Sequence, residues 1–297
     1  PPDRSSAASD VYKRQEQILT QQVERTGYLL WTKKLQGGKM KQPGLINIDV
    51  TGLCNKTCNY CPRSEGYPNE KEYMDWKLFR KFVMDLQDYR GIVCFTGRGE
   101  NSLHPDFGLL VKLLNHPKKT YKTRIITNGT HLERRLHHSD TFDYIIVNSY
   151  DSEEEMEKRK KIIPRAKHRY WNQNMKPEEW GQTEVIVSNR SDIYNRIATD
   201  TSEIDTPCTF PSVKIWIHWD GTIQKCCNDW TNSEIFGNIK TDNILDVWHS
   251  KAFKELQDNL LQGNRRYSKT CSMCNRGLDK RDKERLVWLK SQKKQIV

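Results

Sequence analysis

Cys54, Cys58 and Cys61 form a CxxxCxxC just after the short apolar run 45–50, and no other stretch limits the fold as strongly. Three thiols this close, in a loop that leaves a strand, can ligate three of the four irons of a cubane cluster. The fourth iron is then open to an exogenous ligand. A zinc knuckle would need a fourth Cys or His nearby to close its tetrahedron. None occurs between Cys61 and Cys94, and the next histidine is His104. A disulfide pair suits this spacing less well still.

The 297 residues are enough for a large core, and two domains are expected. No run approaches the roughly 18 apolar residues of a membrane span, and no charged-then-apolar leader ends in a small-residue cleavage site. Nine cysteines would suit a secreted disulfide framework, but here they cluster at metal-ligand spacing. An oxygen-sensitive cluster needs a reducing compartment, so a soluble cytoplasmic protein without a membrane partner is expected. Lys plus Arg number 49 against 38 Asp plus Glu, a formal charge of +11 that favours anionic partners. Much of the excess lies at 158–161, at Arg265 and Arg266 and in the tail 276–294, where solvated helix faces account for it. No nucleic-acid module accompanies the charge, so a nucleic-acid partner is not expected.

Residues 1–15 mix Pro, Ser, Ala and charge without periodicity and read as a disordered or non-native leader. Over 16–41 the spacing of Ile18, Leu19, Val23, Leu29, Leu30 and Trp31 predicts a helix, interrupted at Gly27 and ended by Gly37 and Gly38. From 42 to 205 strands at 45–50, 92–96, 124–127, 144–148, 169–171 and 184–187 alternate with helices at 75–89, 107–115 and 152–162. The fold class that follows is α/β, a partial (β/α)6 barrel whose ligands meet the loops at the carboxyl ends of its strands. Between 206 and 277 the alternating run 213–219, the turn Asp220-Gly221 and the return 222–226 predict a β-hairpin, and 244–261 a helix. A basic helix is expected at 278–297.

Several motifs stand at the strand ends. The second strand runs into Gly97-Arg98-Gly99-Glu100, then His104-Pro105-Asp106, where Pro and Asp suit a helix start and His104 reads as structural. The third strand ends at Asn128-Gly129, the fourth at Ser149-Tyr150-Asp151, and Ser188-Asn189-Arg190 follows the sixth. Amide and hydroxyl side chains suit a sugar diol, although Asn128 and Ser149 serve equally well as turn or cap residues. Cys208, then Gly221 with Cys226 five residues on, and the CxxC of Cys271 and Cys274 form a second cysteine set.

Taken in order over 44–277, these patterns resemble the radical S-adenosylmethionine (SAM) superfamily, and the second set resembles the auxiliary-cluster module of its SPASM and twitch members. The resemblance implies two 4Fe–4S clusters and SAM as cofactors. Cys54, Cys58 and Cys61 would hold the first cluster, with SAM on its open iron. Tyr60 would lie beside the adenine, and Gly97, Gly99, Glu100, Asn128 and Ser149 along the rest of SAM. Cys208, Cys226, Cys271 and Cys274 would hold the second cluster. Cys226 fits that pattern better than Cys227, and zinc is the rival occupant of a four-thiolate set. No cysteine follows Cys274, which matches the shortened twitch form: a small β-hairpin plus helix auxiliary-cluster domain.

A radical SAM oxidoreductase is therefore expected, in which a 5′-deoxyadenosyl radical takes hydrogen from a substrate carbon and the second cluster accepts an electron. The cysteine layout resembles the aminocyclitol dehydrogenase type, so the substrate is expected to be a small polar or anionic, sugar- or cyclitol-like molecule. Arg190, His218 and Asp151 are the candidate catalytic groups for proton removal. An external one-electron reductant such as flavodoxin or ferredoxin would be the protein partner. Two alternatives stand beside this reading: a maturase acting on a peptide substrate, and a non-enzymatic metal protein that binds nucleic acid.

Overall fold

The computed structural model describes residues 41–131, 141–171, 205–275, 283, 285–287 and 289. The first strands are short, nearly wholly buried apolar runs, β1 (Leu45–Ile48) and β2 (Ile92–Phe95). Strands buried on both faces belong in parallel sheets with helical crossovers. Accordingly α1 (Trp76–Asp85) joins β1 to β2, and α2 (Phe107–Leu114) joins β2 to β3 (Lys122–Thr127). Next come β4 (Tyr144–Ser149), α3 (Glu153–Ile162) and β5 (Lys167–Tyr170). Asp75 starts α1 by accepting from the Lys77 amide at 2.6 Å, and Ser152 starts α3 by accepting from Glu155.

The second half adds α4 (Phe210–Val213), β6 (Lys214–Ile217), β7 (Thr222–Gln224) and β8 (Gly237–Asn238). Three helices follow, α5 (Ile244–His249), α6 (Lys251–Leu261) and α7 (Lys269–Ser272). All eight strands lie in one open sheet, ordered β5-β4-β3-β2-β1-β6-β7-β8. Pairing is parallel from β5 to β6, with Asn47 opposite both Cys94 and Trp216, and antiparallel from β6 to β8. Gly221 turns the β6–β7 hairpin at φ 89°, a region open to glycine at no steric cost.

The strand expected at 184–187 lies outside the described residues, as do Arg190, the leader and all but the last residue of the helix expected at 16–41. On its side away from β2, β1 pairs with β6 from the hairpin segment, so the auxiliary half continues the barrel sheet. The helix expected over 244–261 is two helices, because Ser250 takes an extended backbone (φ −59°, ψ 150°) and its hydroxyl caps the second by accepting from Phe253.

One core serves both halves. Ile46, Ile48, Val93, Phe95, Ile125 and Val147 from the sheet pack in a single buried cluster with Phe79, Phe82, Phe107 and Leu110 of α1 and α2. Ile215, Ile217, Ile223, Trp248 and Phe253 of the second half belong to the same cluster. Each such side chain contributes about 1.5–3 kcal/mol by leaving water. Strand alternation sends Asn47, Asp49 and Cys94 to the other face, which is polar.

Asp143, just before β4, ties that strand to β3. It accepts from the Thr123 amide (2.9 Å), Lys119 (2.9 Å) and Lys122 (2.8 Å). Burial opposes its charge, but Lys122, Lys119 and the Thr123 N–H outweigh that and hold the carboxyl well below the usual range. A depressed folded-state pKa stabilises above the unfolded value of about 3.9, and that stability is lost as pH falls towards the folded value. Asp143→Asn is expected to cost about 1–3 kcal/mol in urea unfolding at pH 7, the difference closing as the pH drops below about 4.

Candidate functional site

The site is assembled at the carboxyl ends of β1 to β4 and β6. The cysteine loop is pinned before any thiol is considered. Asn69 clasps the Cys54 backbone, accepting from its N–H and donating to its carbonyl, both at 2.9 Å. Arg63, two residues beyond Cys61, is buried; it donates to Asn69 and Pro68 at 2.8 Å, to Gly52 and, at 3.0 Å, to the Arg98 carbonyl. Cys61 closes a turn onto the Cys58 carbonyl at 2.9 Å. The thiols sense one another's charge: burial, then the neighbouring Cys61 and Cys54, push Cys58 up to about 12. Burial also raises Cys54, which feels Cys61. A donor set of three adjoining soft thiols from one half-exposed loop fits an iron–sulfur cluster with one iron unclaimed by the chain.

The loop after β2 runs tightly against this one. A Cβ added at Gly97 would lie 2.3 Å from Asp49, and one at Gly99 would lie 2.1 Å from the Thr51 carbonyl oxygen. Only glycine fits at either place. The buried Glu100 carboxylate accepts from the Ser102 hydroxyl (2.6 Å), the Thr127 hydroxyl (2.8 Å) and the Asn128 amide (2.7 Å). Most of these bonds fall on one oxygen, Oε1, and join the ends of β2 and β3, while among the described residues Oε2 takes only the Asn128 N–H.

Asn128 is likewise engaged, donating to Asn55 of the cysteine loop at 2.8 Å and accepting from Thr130 at 3.0 Å. Ser149 is different: it is fully buried and its hydroxyl has no partner among the described residues. A buried, unsatisfied hydroxyl at a strand end is what a polar ligand would complete. Tyr60 packs against Trp171 (ring centroids 5.4 Å apart) and Tyr150 (6.0 Å). Tyr150 and Trp171 were not read as site residues; their only signal was an aromatic just after a strand.

Of the candidate bases, Asp151 is held by Lys56 and by Arg159 at 2.8 Å. Burial opposes its charge, but those two cations outweigh it and lower its pKa, which weakens it as a base. His218 is buried, with Nδ1 2.8 Å from Asp49 and Nε2 on the Gln224 carbonyl oxygen. The donor-only Arg98 guanidinium also points at that oxygen, at 3.0 Å, which fixes the amide's orientation. Both ring nitrogens of His218 are therefore engaged within the protein. His104 accepts from Asp106 and donates to the Met74 carbonyl at 2.9 Å, a structural placement.

The second set comes together from three segments distant in the chain. Cys208, Cys226, Cys271 and Cys274 line one pocket with Phe210, Leu260 and Arg265. Cys227 is not among its lining residues; its sulfur faces the Asn228 side chain at 3.9 Å. Ser268 caps α7, which presents Cys271, and burial pushes that thiol up to about 12. Beside the pocket, Lys225 is fully buried between Asp229 (3.1 Å) and Glu234. Four thiols around one mostly apolar pocket fit a fully ligated cluster.

A family model described as the radical SAM superfamily matches residues 48–175, and one described as an iron–sulfur cluster-binding domain, SPASM, matches 208–275. The S-adenosyl-L-methionine-dependent 2-deoxy-scyllo-inosamine dehydrogenase of Niallia circulans is 26% identical over 244 residues, 78% of this chain and 92% of that protein. BtrN solved with AdoMet and 2-DOIA superposes with a TM-score of 0.66 at 24% identity, covering 78% of this chain and 93% of that one. BtrN in an open conformation gives 0.59 at 23% identity, over 78% and 92%. At these identities the structural likeness is one of fold. No helix among the described residues is long and apolar enough to cross a membrane.

Proposed function

We propose that this chain, which carries a radical SAM domain followed by an iron–sulfur cluster-binding SPASM domain, is a SAM-dependent dehydrogenase of a small polar, cyclitol-like substrate. The observation that carries the reading is the pairing of a three-thiol loop with a four-thiol pocket on one continuous sheet. When bound, a first cluster with SAM supplies a hydrogen-abstracting 5′-deoxyadenosyl radical, and a second, fully ligated cluster supplies an acceptor for the electron left on the substrate.

The chain's own residues set the stage for that chemistry. Cys54, Cys58 and Cys61 hold the first cluster, and Cys208, Cys226, Cys271 and Cys274 the second. The backbone at Gly97 and Gly99, shaped by Glu100, approaches the amino-acid end of SAM, and Ser149 completes its hydroxyl on the cofactor. Asn128 holds the cysteine loop in place through Asn55. Tyr60, Tyr150 and Trp171 offer ring faces to a purine and exclude water. With Asp151 and His218 both engaged, Arg190 would serve to donate to a substrate oxygen rather than to take its proton, which would leave to solvent. An external one-electron donor of the flavodoxin or ferredoxin kind delivers the initiating electron. The substrate class rests on the similarity to the inosamine dehydrogenase.

The test is anaerobic turnover with dithionite, SAM and 2-deoxy-scyllo-inosamine deuterated at the carbinol carbon. Deuterium is expected in 5′-deoxyadenosine together with a ketone product. Cys271→Ala is expected to keep cleaving SAM while ketone per 5′-deoxyadenosine falls roughly 10-fold or more, because only the second half-reaction is impaired. No deuterium transfer from this or any related polyhydroxylated cyclitol would remove the dehydrogenase reading.

A further inference from the structure

Arg98 occupies the middle of the Gly97–Glu100 loop, yet its side chain belongs to the other half of the protein. Its carbonyl is held by Arg63 at 3.0 Å and its N–H points at Asp49 at 3.4 Å. The guanidinium reaches away from the loop and donates to Gln224 (3.0 Å), to the Asp229 carbonyl (2.6 Å), to the Asn232 side chain (2.7 Å) and to the Tyr67 hydroxyl (2.9 Å). It also lies 5.4 Å from the Trp230 ring centre and 5.9 Å from that of Tyr67. Asn232 is held in a left-handed conformation (φ 53°), and its carbonyl oxygen accepts from both Arg98 and Gln224.

These contacts close a ring. The Arg98 N–H meets Asp49, Asp49 meets His218, His218 meets Gln224, and Gln224 accepts from the Arg98 guanidinium. Beyond it, Asp229 gathers Ser233, Thr231 and Lys225, and Lys225 adjoins Cys226 of the second pocket. A fork with several donors in fixed directions leaves little slack between the loop and residues 224–234.

We propose that Arg98 is a positioning residue that couples SAM binding at the Gly97–Glu100 loop to the order of residues 224–234 beside the four-thiol pocket, a step that rests on the function proposed above. Coupling of this kind is reciprocal, so the state of the second site also tunes SAM affinity. Hydrogen–deuterium exchange of the reconstituted protein, with and without SAM, tests it. In the parent, SAM is expected to slow exchange at 97–100 and, by about 5-fold or more, at 224–234, the low end of coupling between linked sites. In Arg98→Gln, SAM is expected to protect 97–100 but no longer 224–234. Asn232→Ala, which removes the acceptor shared by Arg98 and Gln224, is expected to reduce the same transmitted protection, and it serves if Arg98→Gln does not fold. Protection confined to 97–100 in the parent, or transmission that survives in the variants, overturns the coupling. Absence of SAM protection at 97–100 in the parent overturns the SAM-binding reading itself, and the coupling with it.

Discussion

Cys58→Ala is expected to abolish 5′-deoxyadenosine formation while leaving the second cluster in place. Cys58 is the middle thiol of its set, with Cys54 and Cys61 close enough to raise it along with burial. Its removal leaves two thiols, and nothing else in the pinned loop replaces the third, since Asn55 is committed to Asn128 and Asn69 to the Cys54 backbone. Losing a direct ligand should exceed the 10–100-fold cost of changes that merely support a ligand. After anaerobic reconstitution, iron is expected to fall from about eight to about four atoms per chain, as two four-iron sites predict. Parental rates of SAM cleavage in Cys58→Ala would sink the assignment of this loop.

Lys225→Met is expected to be the most destabilising single change outside the cysteines. Lys225 and Asp229 are wholly buried side chains 3.1 Å apart, and Glu234 meets the same ammonium. Methionine matches the stem but leaves the Asp229 carboxylate with the Ser233 and Thr231 hydroxyls and the Ser233 and Glu234 N–H groups, and no cation among the described residues. Breaking a buried pair from one side costs about 3–5 kcal/mol, because the abandoned charge loses its counter-ion away from water. For a chain of this size that is a fall of roughly 5–8 °C in Tm by the usual scaling. Lys225→Met with Asp229→Asn is expected to regain part of the loss. A single variant as stable as the parent in thermal unfolding under anaerobic conditions would show that water reaches this site.

Local patterns account for what could be read early. The apolar runs that begin at Leu45, Ile92 and Tyr144 are strands, since runs that short and that buried pair well only inside a parallel sheet. The glycines flanking Arg98 were legible as a place of close approach, and the structure supplies the reason in Asp49 and the Thr51 carbonyl. Helix ends were less legible: Ser250 looks like any interior serine until its backbone is seen to be extended. The surroundings of the candidate bases were the least legible. Nothing near His218 in sequence announces Asp49, 169 residues earlier, and nothing near Asp151 announces Lys56.

The order of residues along the chain was sufficient for the α/β class, the two cysteine sets and the strand-end loops, because strand burial, turn chemistry and ligand spacing are all properties of neighbours joined covalently. Tertiary structure alone decided that β6 pairs with β1 and that Arg98 reaches Gln224 and Asn232. Those outcomes depend on which distant segments share a sheet and which side of a short hairpin faces inward. They arise from burial and hydrogen-bond satisfaction across more than a hundred residues, which no local pattern records.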